Sequence, residues 1–184
     1  MKILKSFVVC LLTYSVFFQS ATLCAQQHPE DALLRPSSLL LQELAAGENA
    51  ALVVQQGRKN QAAVVQMHRA GEELNLVYTE QQGNRNQIAL TQDGYGNQAM
   101  VIQNGNRNSY EGEISGTGLT TLVIQEGNRN TVIQSLTESV DSQTELIQIG
   151  NDNEIIHVID GAVNQSFQVI QEGNGQSIMI RQSY

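Results

Sequence analysis

Few residues in this 184-residue chain have types and spacings that suggest chemistry. His28, His68 and His157 are potential metal ligands or bases, but they stand in unlike surroundings, and none has a second ligand at a metal-binding spacing. His157 falls on the inward side of an alternating run, where it serves as a filler or a ladder member rather than a ligand. Serines are plentiful, yet none lies in a pattern that would supply a base and an orienting carboxylate. Gly-Asn-Arg-Asn recurs at 83–86, 105–108 and 127–130 and resembles a phosphate cradle, but no strand-to-helix P-loop context follows it, so a repeated turn accounts for it. Asp93, Asp152 and Asp160 occupy unlike turn positions, against a calcium-binding solenoid. The residues therefore predict no enzyme, no metal site and no cofactor.

The chain's start reads as a leader. Lys2 and Lys5 precede an apolar run from Phe7 to Phe18 and a polar stretch ending at Ala25, the pattern of a secretory signal peptide over residues 1–25. Ala21, Thr22 and Leu23 fit a lipobox before Cys24 poorly, so cleavage is expected after Ala25. No later segment approaches the apolar length of a membrane span, which predicts an exported chain that does not span the membrane. Removing residues 1–25 removes both cysteines, Cys10 and Cys24, and with them disulfide and thiolate chemistry. It also leaves 8 basic residues against 18 acidic ones, a balance of −10 that argues against nucleic acid as a partner.

What remains abundant is amide. After Ala25 there are 22 Gln and 15 Asn in 159 residues, a composition of β-aggregating chains rather than of enzymes. The amides are also periodic. Gln55-Gly57-Asn60, Gln81-Gly83-Asn86, Gln103-Gly105-Asn108, Gln125-Gly127-Asn130 and Gln148-Gly150-Asn153 share one signature, and Gln171-Gly173 continues it with Gln176 in the third place. A second, degraded set is expected to start at Leu44, Ala70, Gln92, Ile114, Thr137, Ile159 and Gln182, with Gln92-Gly94-Asn97 its best member. The unit is thus about 22 residues with two unequal arms. Insertions are expected near Met67 to Ala70, near Leu136 and within Gln165 to Gln171.

Each arm must consist of a turn and a strand, because Gly and Asn tolerate positive φ and the run after them alternates with period two. From Asn97 the inward set is Asn97, Ala99, Val101 and Gln103; from Asn86 it is Asn86, Ile88, Leu90 and Gln92; from Asn153 it is Asn153, Ile155, His157 and Ile159. The predicted fold is all-β, a β-solenoid of stacked 22-residue strand-turn-strand repeats over residues 44–184. Stacked turns lie about 4.8 Å apart, so each inward amide can donate to one neighbouring rung and accept from the other. Gln55, Gln81, Gln103, Gln125, Gln148 and Gln171, with Asn60, Asn86, Asn97, Asn108, Asn130 and Asn153, are the expected ladder. Gly57, Gly83, Gly94, Gly105, Gly127, Gly150 and Gly173 are the expected turn glycines. Lys59, Arg85, Arg107 and Arg129 should stack like charges along one turn ridge, as candidate gatekeepers against premature assembly. Nothing resembles a cap, so the ends are expected to be open.

These residues carry a resemblance. Gln-x-Gly-x-x-Asn-x-Ala-x-x-x-Gln, clearest from Gln92 to Gly105, is similar to the curlin repeat of curli, the extracellular amyloid fibres of bacteria. The resemblance implies self-assembly into a fibre, a second curli subunit as partner, and export through an outer-membrane curli secretion pore with accessory proteins. It also implies roles in biofilm matrix and adhesion at the cell surface. Residues 26–43 occupy the place of the family's export segment. Irregular spacing, degraded arms and the terminal Arg-Gln-Ser-Tyr resemble the minor, nucleating subunit more than the major one. A soluble secreted β-solenoid, acting as adhesin or ligand-binding module, is the alternative, and it would need capped ends. Apolar outward residues such as Met100, Ile102, Leu122 and Ile124 would suit a lateral contact between fibrils.

Overall fold

A computed structural model describes Val8–Leu12, Thr22–Ala25, 49–67 and 73–183. In the repeat region the chain alternates between two parallel sheets. One contains β3 (Ala50–Arg58), β5 (Leu76–Asn84), β7 (Gln98–Asn106), β9 (Thr120–Asn128), β11 (Gln143–Asn151) and β13 (Ser166–Asn174). The other contains β4 (Gln61–Met67), β6 (Gln87–Tyr95), β8 (Ser109–Thr117), β10 (Thr131–Val140), β12 (Glu154–Asp160) and β14 (Ser177–Ser183). Each strand bonds in parallel to the one a full repeat away, as in Gln81 to Gln103 to Gln125, and the register shifts only between β8 and β10, so the fold is the β-solenoid that the period predicts. No described residue is helical.

The period makes this fold because every inward position repeats at every level. Ala51, Val77, Ala99, Thr121 and Thr144 form one buried column; Ile88, Tyr110, Val132 and Ile155 form another on the facing sheet. Between β3 and β4 the chain reverses through Lys59-Asn60, and later levels repeat this two-residue corner. Its first residue is left-handed, at φ 60° for Lys59, 61° for Arg85, 59° for Arg107, 57° for Arg129 and 59° for Asp152.

Several register expectations need correction. Gln66, not Ala70, stands opposite Gln92, whereas the four-residue insertion expected near Met67 to Ala70 does follow β4, whose pairing runs unbroken to Met67; Ala70 and Leu44 lie outside the described residues. Leu136, not Thr137, pairs with both Ile114 and Ile159. The extra residue near Leu136 is a bulge before Ser139. The one expected within Gln165 to Gln171 is not there, because Ser166–Gln171 pairs without a break with Gln143–Gln148. The 23-residue spacing is instead already present where Asp160 pairs with Thr137.

In the full chain β1 (Val8–Leu12) pairs antiparallel with β3 from Leu52 to Gln55, and β2 (Thr22–Ala25) pairs with β1. The edge of β3 is therefore covered by β1 in the full chain. The edges of β4, β13 and β14 carry no further strand among the described residues.

Candidate functional site: amide columns and open ends

The solenoid interior places the six anchor glutamines one above another. Gln55 Nε2 donates to Gln81 Oε1 at 2.6 Å, and the same bond repeats from Gln81 to Gln103 (2.8 Å), Gln103 to Gln125 (2.8 Å), Gln125 to Gln148 (2.9 Å) and Gln148 to Gln171 (2.9 Å). From Gln81 to Gln171 these side chains are buried. The second amide proton reaches across to the facing sheet, as Gln103 Nε2 does to the Gln87 carbonyl at 2.9 Å. All five bonds point the same way along the axis. The column therefore has a donor end at Gln171 and an acceptor end at Gln55.

The asparagines behave differently from the expected side-chain ladder. Asn86 Oδ1 accepts the backbone N–H of Asn108 at 3.0 Å, while its Nδ2 donates to the carbonyl of Gly105 at 3.0 Å and of Gln82 at 3.1 Å. Asn60, Asn97, Asn108, Asn130 and Asn153 repeat this pattern, each donating to the glycine carbonyl of the next level. These residues tie corner to corner. The shorter Asn side chain reaches its own backbone turn before it reaches the next Asn.

A second column of side-chain pairs was not anticipated. Asn84 Nδ2 donates to Asn106 Oδ1 at 2.9 Å, Asn106 to Asn128 at 2.9 Å, Asn128 to Asn151 at 2.8 Å, and Asn151 to Asn174 at 2.9 Å. Its signal was present in the sequence, since an Asn follows each anchor from Gln81 onward by three residues. Only the corner's curvature shows that these outward amides face one another.

The turn glycines are required by crowding. At Gly57, Gly83, Gly94, Gly105, Gly127 and Gly150, φ lies between 111° and 126°, and an added Cβ would sit 1.7–1.9 Å from the next level's carbonyl oxygen. At Gly173, the last level, the nearest atom is Gln176 Nε2 at 2.9 Å.

Lys59, Arg85, Arg107 and Arg129 do stack, and with Arg58 and the outer asparagines they line a groove of about 620 Å³. The column of free charge is shorter than expected, because Arg129 is bound by Asp152, with Nη2 donating to Oδ2 at 2.6 Å. That bond holds the exposed Asp152 carboxyl below its ordinary range.

His157 is buried, neither ring nitrogen has a hydrogen-bond partner, and the ring meets Phe167 edge-on at 5.5 Å. Burial lowers its pKa to about 4. Among the described residues no cluster of His, Cys, Asp or Glu is arranged to hold a metal, and no helix is long and apolar enough to cross a membrane.

No curated protein and no solved structure matches the chain. Residues 75–110 match the model of the curlin associated repeat, and this stretch runs from the Asn75 corner through β5, β6 and β7 into β8. The strand-and-corner unit of that stretch recurs along the parallel register from β3 to β14, so the chain is a β-solenoid that carries the curlin associated repeat at residues 75–110.

Proposed function

We propose that this chain is a structural subunit of an extracellular curli-type amyloid fibre, exported after loss of its leader and polymerised at the bacterial surface, where it serves biofilm matrix and adhesion. Curlin repeats are those of structural amyloid subunits rather than of enzymes. The observation that carries the reading is the glutamine column, which among the described residues runs from an acceptor at Gln55 to a donor at Gln171. A ladder of this polarity gains one more amide bond and two strands' worth of backbone bonds from each added copy. The expected partners are copies of itself, a second curli subunit, and an outer-membrane secretion pore with its accessory proteins.

The minor, nucleating role is favoured by the irregular levels. The second-arm column runs Gln66, Gln92, Ile114, Leu136, Ile159 and Gln182, so it does not repeat strictly. Protein freed of residues 1–25 should start disordered and form dye-binding fibrils with a meridional reflection near 4.7–4.8 Å. Substoichiometric amounts should shorten the lag of a strictly repeating curlin chain. A folded monomer that persists at high concentration would support the soluble adhesin instead.

A further inference from the structure

One ridge of the solenoid is cationic, although the chain beyond its leader carries 8 basic residues against 18 acidic ones. Arg58, Lys59, Arg85, Arg107 and Arg129 line its groove with Asn84, Asn106 and Asn128, and no carboxylate is among the described residues that line it. Of the five cations, Arg129 alone has an acidic partner among the described residues, Asp152 at the groove's far end. The arrangement is costly in two ways. Lys59, Arg85, Arg107 and Arg129 hold φ between 57° and 61°, a backbone conformation that residues with a long side chain resist, and Gly175 on the same ridge shows the easier solution. Stacking them one rung apart, about 4.8 Å, adds mutual repulsion. A gatekeeper accounts for like charge but not for its sign. Asp tolerates the left-handed corner better, occupies it at 141 and 152 with φ 46° and 59°, and would repel equally well. Strain accepted at four successive levels for the sake of positive charge is the mark of a site for an anion.

We infer that this groove binds a linear, carboxylate-bearing polysaccharide laid along the ridge, with one uronate at each level. A pyranose joined through its 1 and 4 positions advances by close to one rung, so a polyuronate can set one carboxylate against each guanidinium. The planar Arg fork suits that group, since it can donate two parallel hydrogen bonds to one carboxylate. Sugar hydroxyls have partners as well. Asn84, Asn106 and Asn128 each spend one Nδ2 proton on the next asparagine, and the second is without a partner among the described residues. Bound carboxylates also offset the repulsion within the stack. Nucleic acid fits less well, because no aromatic side chain lines the groove to stack a base. The ridge lies within one copy, so it does not depend on how copies assemble.

The test is binding of end-labelled polymannuronate to the chain exported from bacterial cells, read by co-sedimentation with fibres or, for protein that stays monomeric, by fluorescence anisotropy. Saturable binding that weakens as salt rises is expected. Arg85→Asn with Arg107→Asn, which suits the corner's φ, should weaken it about tenfold. Arg107→Asn alone should weaken it about threefold, whereas Arg181→Gln, the same loss of charge on β14 outside the groove, should leave it unchanged. Asp152→Asn frees Arg129 and should tighten binding about threefold, while Asp160→Asn at the opposite corner should not. Because the Asp152 variant is read as a gain, misfolding cannot imitate it. Equal responses within either charge-matched pair would overturn the groove as the site. No saturable binding of polymannuronate, or tighter binding of single-stranded DNA of the same charge, would overturn the polysaccharide assignment. Fibres that form normally but bind none of it would refute this site while leaving the fibre proposal intact.

Discussion

In a hydrogen-bonded column the cost of damage follows the number of broken ends, not the number of residues replaced. Gln103 Nε2 donates to Gln125 Oε1 at 2.8 Å, and Gln103 Oε1 accepts from Gln81 Nε2 at 2.8 Å. With Leu at 103, Gln81 Nε2 still holds the Gln61 carbonyl at 3.1 Å, but Gln125 Oε1 is left buried without its donor. One such orphan costs roughly 1–3 kcal/mol, so we take about 2. Replacing Gln125 as well merely moves the orphan to Gln148 Oε1, since Gln148 Nε2 keeps both Gln171 and the Thr131 carbonyl. The double variant should therefore cost about 2 kcal/mol rather than about 4. The assay is the monomer concentration left in equilibrium with fibres after sedimentation. At about 1.4 kcal/mol per decade, Gln103→Leu should raise it about 30-fold, and the double variant also about 30-fold. Exposed Gln87 and Gln98, replaced by Ala, should change it little. A rise near 1,000-fold in the double variant would refute the ladder argument, because each amide would then be acting independently.

Gly105→Ala should abolish ordered fibres, since its Cβ would lie 1.8 Å from the Gly127 carbonyl oxygen; Gly175→Ala, at a corner position that Arg fills elsewhere, should leave fibre yield intact. Fibre stability should fall as pH drops from about 6.5 towards 4, because the unfolded chain binds a proton on His157 before the buried, neutral ring does. The full loss is about 3 kcal/mol, and His157→Leu should flatten the monomer solubility curve over that range. Changing Arg85, Arg107 and Arg129 together to Asn, which is at ease at φ near 60°, should shorten the lag at low salt, with the gap closing as salt rises. An unchanged or longer lag would end the gatekeeper proposal. Most of the effect should come from Arg85 and Arg107, because Asp152 already neutralises Arg129.

Much of this was legible because a solenoid repeats one local solution. Period-two alternation gave the inward faces, and the Gln spacing placed all six anchors in one column. Reading failed where neighbouring levels differ. Gln66 and Leu136 were passed over because anchors counted at equal intervals ignore where an insertion sits, and only strand pairing sets Gln66 opposite Gln92 and shows a bulge after Leu136.

The sequence by itself determined the period, the strands, the corners and the inward side of each strand, since these depend on residue type and short-range spacing. Tertiary structure alone decided what each amide does. Gln has the reach to meet its counterpart one rung away, whereas the inward Asn, one methylene shorter, is captured by its own corner and the next glycine carbonyl. The outer Asn and the ridge cation share a corner with it, yet Asn84 pairs with its like while Arg129 finds Asp152. The polarity of the column, and the carbonyl of Gln66 that finds no donor among the described residues, likewise arise only when one rung is laid on another. Such bonds join residues 22 to 26 positions apart, so no local pattern contains them.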